Sequence, residues 1–129
     1  MYLLCVSGCP LCPANGMVDV IADRGIAYLV APKVSPIEDC YLIVPRSHVT
    51  DMRMLPDTWQ VAVSHLLNDV PWFIPDVTPF NFSLNVGRPA GQTLSHLHFW
   101  VIPRNEDEGS SSYGQGAATL VQRLNMINT

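Results

Sequence analysis

Two histidines one residue apart are the strongest candidates for chemistry in this sequence. His96 and His98 alternate with the apolar residues Leu97 and Phe99 in a segment that predicts a β-strand. Because alternate residues of a strand point to the same face, we expect both imidazoles on one face, with Trp100 beyond them. Neutral imidazole is available near pH 7, so the pair could supply a nucleophile or a base. Two surface histidines on a half-buried strand produce the same pattern.

Polar side chains upstream of the two histidines could bind the oxygen atoms of a phosphate group. Gln92 and Thr93 lie shortly before His96, and Asn85 lies on the preceding predicted strand. Amide and hydroxyl groups are neutral hydrogen-bond donors that suit phosphoryl oxygens. Each of them, taken alone, is more often an ordinary turn or edge residue. Their convergence with a histidine on one predicted hairpin favours an anion-binding site.

A second candidate site is a pair of cysteines near the beginning of the sequence. Cys9 and Cys12 have the spacing of a zinc knuckle, and a tetrahedral zinc site needs two further Cys or His ligands. A redox pair has the same spacing, but no thioredoxin-like βαβ pattern surrounds these residues. We expect the other two cysteines, Cys5 and Cys40, to be small buried hydrophobic residues.

The order of the predicted elements indicates an α+β fold built on an antiparallel sheet. The expected elements are strands at 26–31, 40–44, 80–86 and 93–102 and a long helix at 51–70. We expect Pro71 to end that helix, which would cover one face of the sheet. The polar, Ser/Gly-rich segment 105–116 predicts a mobile loop, and 117–127 predicts a shorter C-terminal helix.

Composition and charge restrict the class of protein. The chain has 129 residues, of which 48% are hydrophobic and 14% charged, as is typical of a single globular domain spanning 1–129. The net charge of −4 gives no sign of a basic patch, so we expect no nucleic-acid polymer as a partner. No segment reaches the roughly 18 apolar residues of a membrane span, and no basic region precedes the short apolar start. We therefore expect a cytoplasmic protein without membrane contact.

The stretch GQTLSHLHFWVIPR, residues 91–104, resembles the phosphate-handling strand of the histidine triad (HIT) family. Residues 85–87 match the family's upstream Asn-x-Gly element, and 42–48 are similar to its strand that ends in Pro, basic residues and His. The resemblance covers residues 5–104, and the combined order CxxC, PxxH, NxG and QTxxHxH is far more specific than HxH alone. It implies a HIT-like antiparallel sheet with one long helix and a shorter C-terminal helix.

The resemblance implies nucleotidyl transfer by a covalent route. His98 would attack the α-phosphorus of a nucleotide, and water would then release a nucleoside monophosphate from the nucleotidyl-histidine. Asn85, Gln92 and Thr93 would stabilise the charge on the phosphoryl oxygens, and Trp100 would line the same site. The implied substrates are nucleotides or dinucleoside polyphosphates with phosphoanhydride, phosphoester or phosphoramidate bonds. Family members are usually homodimers, so we expect a homodimer here.

The resemblance also implies a structural zinc ion. Zinc-bearing members of the family complete the CxxC site with the PxxH histidine and the first triad histidine. Those residues are His48 and His96 in this sequence, so the expected ligands are Cys9, Cys12, His48 and His96. The ion would attach the N-terminal loop to the reactive hairpin and leave His98 as the sole reactive imidazole.

Two positions depart from the family's pattern. Trp100 replaces the third triad histidine, and an indole donates one hydrogen bond but accepts no proton. Lys33 stands where the family commonly places an acidic residue for the ribose hydroxyls. Both departures favour an alternative function, a catalytically weak nucleotide- or phosphate-binding module on the same fold. A third hypothesis is a zinc-stabilised interaction protein with no small ligand.

Overall fold

A computed structural model describes residues 5–33, 40–74 and 79–108, which form an antiparallel sheet covered on one face by a long helix. The strands are β1 (Val18–Asp23), β2 (Ala27–Pro32), β3 (Tyr41–Pro45), β4 (Phe80–Leu84) and β5 (Phe99–Pro103), and the helix α1 is Asp57–Phe73. Short 3-10 turns are formed by Pro13–Asn15, Met52–Met54, Arg88–Ala90 and Glu106–Glu108. The spatial order β1-β2-β3-β5-β4, with every pair antiparallel, confirms the predicted α+β class.

The strand β1 is an element that the sequence pattern does not predict. Its pairing with β2 shifts register between Val20 and Ala22, as in a β-bulge. A bulge interrupts the two-residue alternation of buried and exposed side chains. Val18 and Ala22 are buried while Asp19 and Val20 are both exposed, so the usual strand pattern is lost.

The predicted strand at 93–102 begins too early, because β5 starts only at Phe99. The residues before it form turns whose backbone is bound elsewhere: the Leu97 N–H donates to the Val49 carbonyl at 2.7 Å. The predicted distribution of side chains between the two faces of the sheet is nevertheless observed. Leu97 and Val101 lie in the core beneath the helix, whereas Trp100 packs in the cluster on the opposite face of the sheet.

The helix begins and ends later than the predicted 51–70. Pro56 is its extended N-terminal cap residue, and the residues before it form a separate turn in which Asp51 accepts a hydrogen bond from the Arg53 N–H at 2.9 Å. The prediction that Pro71 ends the helix is wrong. A proline so close to the C-terminus removes only one intrahelical hydrogen bond, and the helix continues to Phe73.

Both faces of the sheet are covered, but by different parts of the chain. On one face, α1 buries side chains at helical spacing, among them Trp59 and Leu66. On the other face, the N-terminal segment buries Leu11 and its two neighbouring cysteines against Leu42 and Val44. Burying each large apolar side chain contributes about 1.5–3 kcal/mol. The second, smaller core therefore attaches the cysteine knuckle to the sheet.

Several sequence predictions fall outside the described residues. The C-terminal helix at 117–127 and most of the predicted loop at 105–116 lie there, apart from the turn Glu106–Glu108. None of the helices in 5–33, 40–74 and 79–108 has the length and apolar character that crossing a membrane requires.

Candidate functional site

Four sulfur and nitrogen ligands converge on the sheet face opposite α1. One ligand atom from each of Cys9, Cys12, His48 and His96 lies within 4.8 Å of the other three. The Cys12 Sγ is 3.6 Å from the His48 Nδ1 and 3.4 Å from the His96 Nδ1, and the Cys9 Sγ is 3.7 Å from the His96 Nδ1. The fold thus brings together all four residues that the sequence analysis assigned to a metal site.

These separations match a tetrahedral zinc site. Zinc bonds of about 2.3 Å to sulfur and about 2.0–2.1 Å to nitrogen, at tetrahedral angles, place the two ligand atoms about 3.6 Å apart. The three observed sulfur–nitrogen distances, 3.4, 3.6 and 3.7 Å, lie around that value. The four side chains therefore fit a structural zinc ion without a rearrangement of the chain.

The outer hydrogen bonds of these ligands also suit a metal. The His96 Nε2–H donates to the Pro45 carbonyl at 2.9 Å, which leaves the Nδ1 lone pair directed at the cysteines. The His48 Nε2 is 3.3 Å from the Ser95 hydroxyl, so the Nδ1 of that ring is likewise available. The Val6 N–H donates to the Cys12 Sγ at 3.3 Å, a contact that favours a thiolate. Ser95 is a residue that the sequence analysis did not single out.

Burial keeps two of these ligand groups neutral until a cation binds. Burial raises the pKa of the Cys12 thiol to about 12 and lowers the pKa of His96 to about 4. In the absence of an ion, both groups are therefore neutral near pH 7. A divalent cation would supply the positive charge that allows buried thiols to ionise.

His98 is buried and held in one tautomer. Its Nδ1–H donates to the His96 carbonyl at 2.9 Å, so the lone pair is on Nε2. Burial lowers the pKa of His98, which favours the neutral imidazole. The Trp100 ring lies edge-on to it, with the two ring centroids 5.6 Å apart at 74°. The result is a buried, oriented and uncharged imidazole next to an indole.

His98 and Trp100 line a cavity of about 350 Å³ on the same face of the sheet. This volume lies within the usual range for small-molecule sites, roughly 300–1,000 Å³. Most of the lining is apolar and includes Leu11, from between the two cysteines of the knuckle, and Leu42 of β3. Lys33, at the end of β2, is the cationic side chain of this lining. Leu11 is a site residue that was not predicted from the sequence, although its position between two metal ligands could have indicated it.

Gln92 and Thr93 line a different, shallower groove. The Gln92 Oε1 accepts from the Gly87 N–H at 2.8 Å, and its Nε2 donates to the Leu94 carbonyl at 2.9 Å. The carboxamide therefore connects two parts of the backbone in the loop between β4 and β5. Thr93 is exposed in the groove, which also includes Arg88, whereas Leu94 lines both the groove and the His98 cavity.

Asn85 packs against a left-handed residue within the same loop, where the turn Arg88–Ala90 ends. Gly91 has φ +101°, and a Cβ built there would lie 3.1 Å from the Asn85 Nδ2. We expect Gly91→Ala to lower the free energy of unfolding by about 2 kcal/mol, measured by denaturant titration, through backbone strain and this contact. Gly16→Ala is the matched control, because Gly16 also ends a 3-10 turn in the left-handed region, with φ +75°, and a Cβ built there has nothing within 4 Å. Equal losses in the two variants would contradict a role for the Asn85 contact.

Comparisons with known proteins agree with this geometry. A family model described as the HIT domain matches residues 22–107. A HIT family hydrolase from Clostridium thermocellum has a TM-score of 0.66 at 15% identity, covering 88% of this chain and 99% of that one. A Zn-bound histidine triad family protein from Mycobacterium smegmatis has a TM-score of 0.64 at 16% identity, covering 94% and 96%.

A third similar structure is the diadenosine triphosphate hydrolase of Plasmodium falciparum in complex with cyclomarin A. Its TM-score is 0.59 at 18% identity, with 84% of this chain and 72% of that one covered. A comparison with curated proteins finds no match. The structural likenesses, at such low identity, establish the fold. Because the family model matches well over half of the sequence, this chain belongs to the HIT domain family.

Proposed function

We propose that this protein is a HIT-type nucleotidyl hydrolase that attacks the α-phosphate of its substrate through His98. Membership of the family and the fold shared with HIT hydrolases support a nucleotide hydrolase or nucleotide-binding role. The observation that carries the finer proposal is the state of His98. It is a buried neutral imidazole with a fixed tautomer, at a cavity of about 350 Å³ that is large enough for a small ligand.

The proposed reaction has two displacements at phosphorus. The His98 Nε2 lone pair forms an N–P bond while the bond from phosphorus to the leaving group breaks, and its electron pair departs with that group. Water then attacks the same phosphorus, the N–P bond breaks with its electron pair returning to the His98 Nε2, and the proton that water loses goes to the solvent. A nucleoside monophosphate and neutral His98 are released. During the first step the imidazole becomes positively charged, and its Nδ1–H bond to the His96 carbonyl at 2.9 Å stabilises that charge.

The metal ligands would support this step through the backbone of His96. The His96 ring belongs to the zinc-ligand cluster, while its backbone carbonyl accepts the His98 Nδ1–H. When bound, the ion supplies a structural cross-link that fixes His96. We propose that this fixation also orients His98, in the way that outer hydrogen bonds orient catalytic groups.

We propose that Asn85, Thr93 and Trp100 bind the substrate's phosphate groups and the adjoining atoms, and that Gln92 positions the loop that carries Thr93. The exposed Thr93 hydroxyl is available to a phosphoryl oxygen, and Trp100 adjoins the imidazole directly. Gln92 is bound to the backbone of its own loop, so its contribution would be to shape that loop. Dinucleoside polyphosphates are included among the proposed substrates, because the Plasmodium relative is named as a diadenosine triphosphate hydrolase.

A second candidate function is a nucleotide-binding module with little turnover. Trp100 favours it, since an indole beside His98 accepts no proton and cannot exchange one with the leaving group. In this alternative the same cavity binds the nucleotide without forming a covalent intermediate.

We also propose a homodimer, because Trp72 and Phe73 at the end of α1 expose 86% and 49% of their surface. Sedimentation at micromolar concentration tests it, and a monomer there would count against it.

The cytoplasmic location and the absence of nucleic-acid and membrane partners stay predictions from composition.

Mass spectrometry of the intact protein tests the main proposal. The protein is incubated briefly with a panel of nucleotides and dinucleoside polyphosphates and quenched under alkaline conditions that preserve N–P bonds. A mass increase of one nucleotidyl group, followed by release of the monophosphate, is the expected result. Binding without an adduct or product over hours would replace the hydrolase with the binding module. No binding by any nucleotide would favour a zinc-stabilised interaction protein.

A further inference from the structure

The cavity beside His98 carries a single cationic side chain among its lining residues. Lys33 lines it together with apolar residues such as Met17 and Leu42, and the lining also includes the polar side chains of His98 and Trp100. An apolar lining selects little among polar ligands, so a charged group at the rim decides which ligands are preferred.

The position of Lys33 is fixed by the sheet. Its backbone N–H donates to the Met17 carbonyl at 3.1 Å, next to the paired residues Val18 and Pro32. All four residues line the cavity. The side chain itself is 52% exposed, and its Nζ is 3.9 Å from the Asp19 Oδ1. The lysine is therefore anchored at the rim while its ammonium group can reach a ligand.

We propose that Lys33 makes this site selective for nucleotides that carry an additional phosphate on the ribose, remote from the phosphorus that His98 attacks. The inference rests on the proposed nucleotidyl hydrolase. The ribose of an ordinary nucleoside carries only neutral hydroxyl groups, and an ammonium group gains little from them. A second phosphate presents a dianion, which forms a charge-assisted hydrogen bond with lysine.

The ion pair between Lys33 and Asp19 does not prevent Lys33 from binding a phosphate group of the ligand. Asp19 has 70% of its side chain exposed, and ion pairs between exposed groups contribute little. A ligand phosphate with about two negative charges therefore competes well for the ammonium group. Removing the Asp19 carboxylate should strengthen the selectivity, because it removes both the competing partner and a like charge near the ligand.

The test compares matched ligands by calorimetry. The four ribonucleoside 5′-monophosphates and their 2′,5′- and 3′,5′-bisphosphates are titrated into the wild-type protein. We expect at least one bisphosphate to bind about tenfold more tightly than its monophosphate, with an advantage that decreases as salt is added. Lys33→Met should abolish the advantage, and Asp19→Asn should increase it. Arg53→Met, which removes an exposed cation outside the cavity lining, should leave it unchanged.

The outcomes separate this inference from the function on which it rests. If monophosphates bind but no bisphosphate has an advantage, Lys33 is not a selectivity residue. The same conclusion follows if Lys33→Met retains the advantage. If no nucleotide binds and none forms an adduct, the proposed hydrolase function fails, and the inference fails with it.

Discussion

Replacing His98 with alanine is expected to abolish the nucleotidyl adduct and to lower turnover by at least about a thousandfold. The reason is that alanine removes the atom that forms the N–P bond. The apolar lining of the cavity is retained, so nucleotide binding should change much less than turnover. The measurements are the intact mass after alkaline quench, the rate of monophosphate release and the dissociation constant of the same nucleotide.

Two variants control for damage to the fold. His65→Ala removes an exposed histidine on α1 and should leave adduct formation unchanged. His98→Gly opens space in the cavity for free imidazole, which could take over the attack and restore part of the turnover. Retention of the adduct in His98→Ala would show that another residue is the nucleophile. Loss of nucleotide binding together with turnover, without rescue by imidazole, would indicate a structural role for His98.

The metal site was the part most accessible from the sequence. Each half of it is a local motif, because Cys9 and Cys12 are three residues apart and His96 lies in the HxH segment. The family resemblance supplied the pairing of these halves, and the fold brings Cys9 and His96 to a sulfur–nitrogen distance of 3.7 Å across 87 positions of sequence. A ligand set could therefore be predicted, while its geometry depends on long-range packing that spacing alone does not encode.

The details around His98 were less accessible for the same physical reason. The alternation of Leu97, Phe99 and Val101 predicts correctly which side chains enter the core beneath the helix. It does not show that the strand begins only at Phe99, because Gln92 side-chain bonds to the loop backbone compete with strand pairing. Lys33 and His98 line the same cavity because of tertiary packing, which local sequence patterns do not show. The local sequence identifies Lys33 as a departure from the family pattern, but it does not show which residues surround Lys33 in the fold.

The cysteine knuckle connects the metal site to the ligand cavity. Pro10 and Leu11 lie between the two cysteine ligands and form part of the cavity wall. Leu11 is buried in the same small core as Cys12 and Leu42. A change in the metal ligands is therefore expected to move part of the cavity wall. If the cavity binds the nucleotide as proposed, zinc binding and nucleotide binding should be thermodynamically linked.

Removal of zinc is expected to lower the melting temperature by about 10 °C or more and to weaken nucleotide binding. Without the ion, the buried sulfur and nitrogen atoms lose their common partner and the knuckle is held only by its small apolar core. Cys12→Ser should reproduce both effects, because a serine hydroxyl is a poor zinc ligand. The measurements are zinc content by elemental analysis, thermal unfolding with and without chelator, and nucleotide affinity in each state.

Cys40→Ser is the matched control for this prediction. Cys40 is also buried, and burial raises the pKa of its thiol to about 12, but it lies outside the ligand cluster. The substitution places a hydroxyl in an apolar setting as Cys12→Ser does, so it carries a comparable packing cost without touching the metal. We expect Cys40→Ser to retain one zinc per chain and a nucleotide affinity close to wild type. If the two variants lose equal stability and both retain zinc, the four side chains form a polar cluster and the ion is not what holds the knuckle.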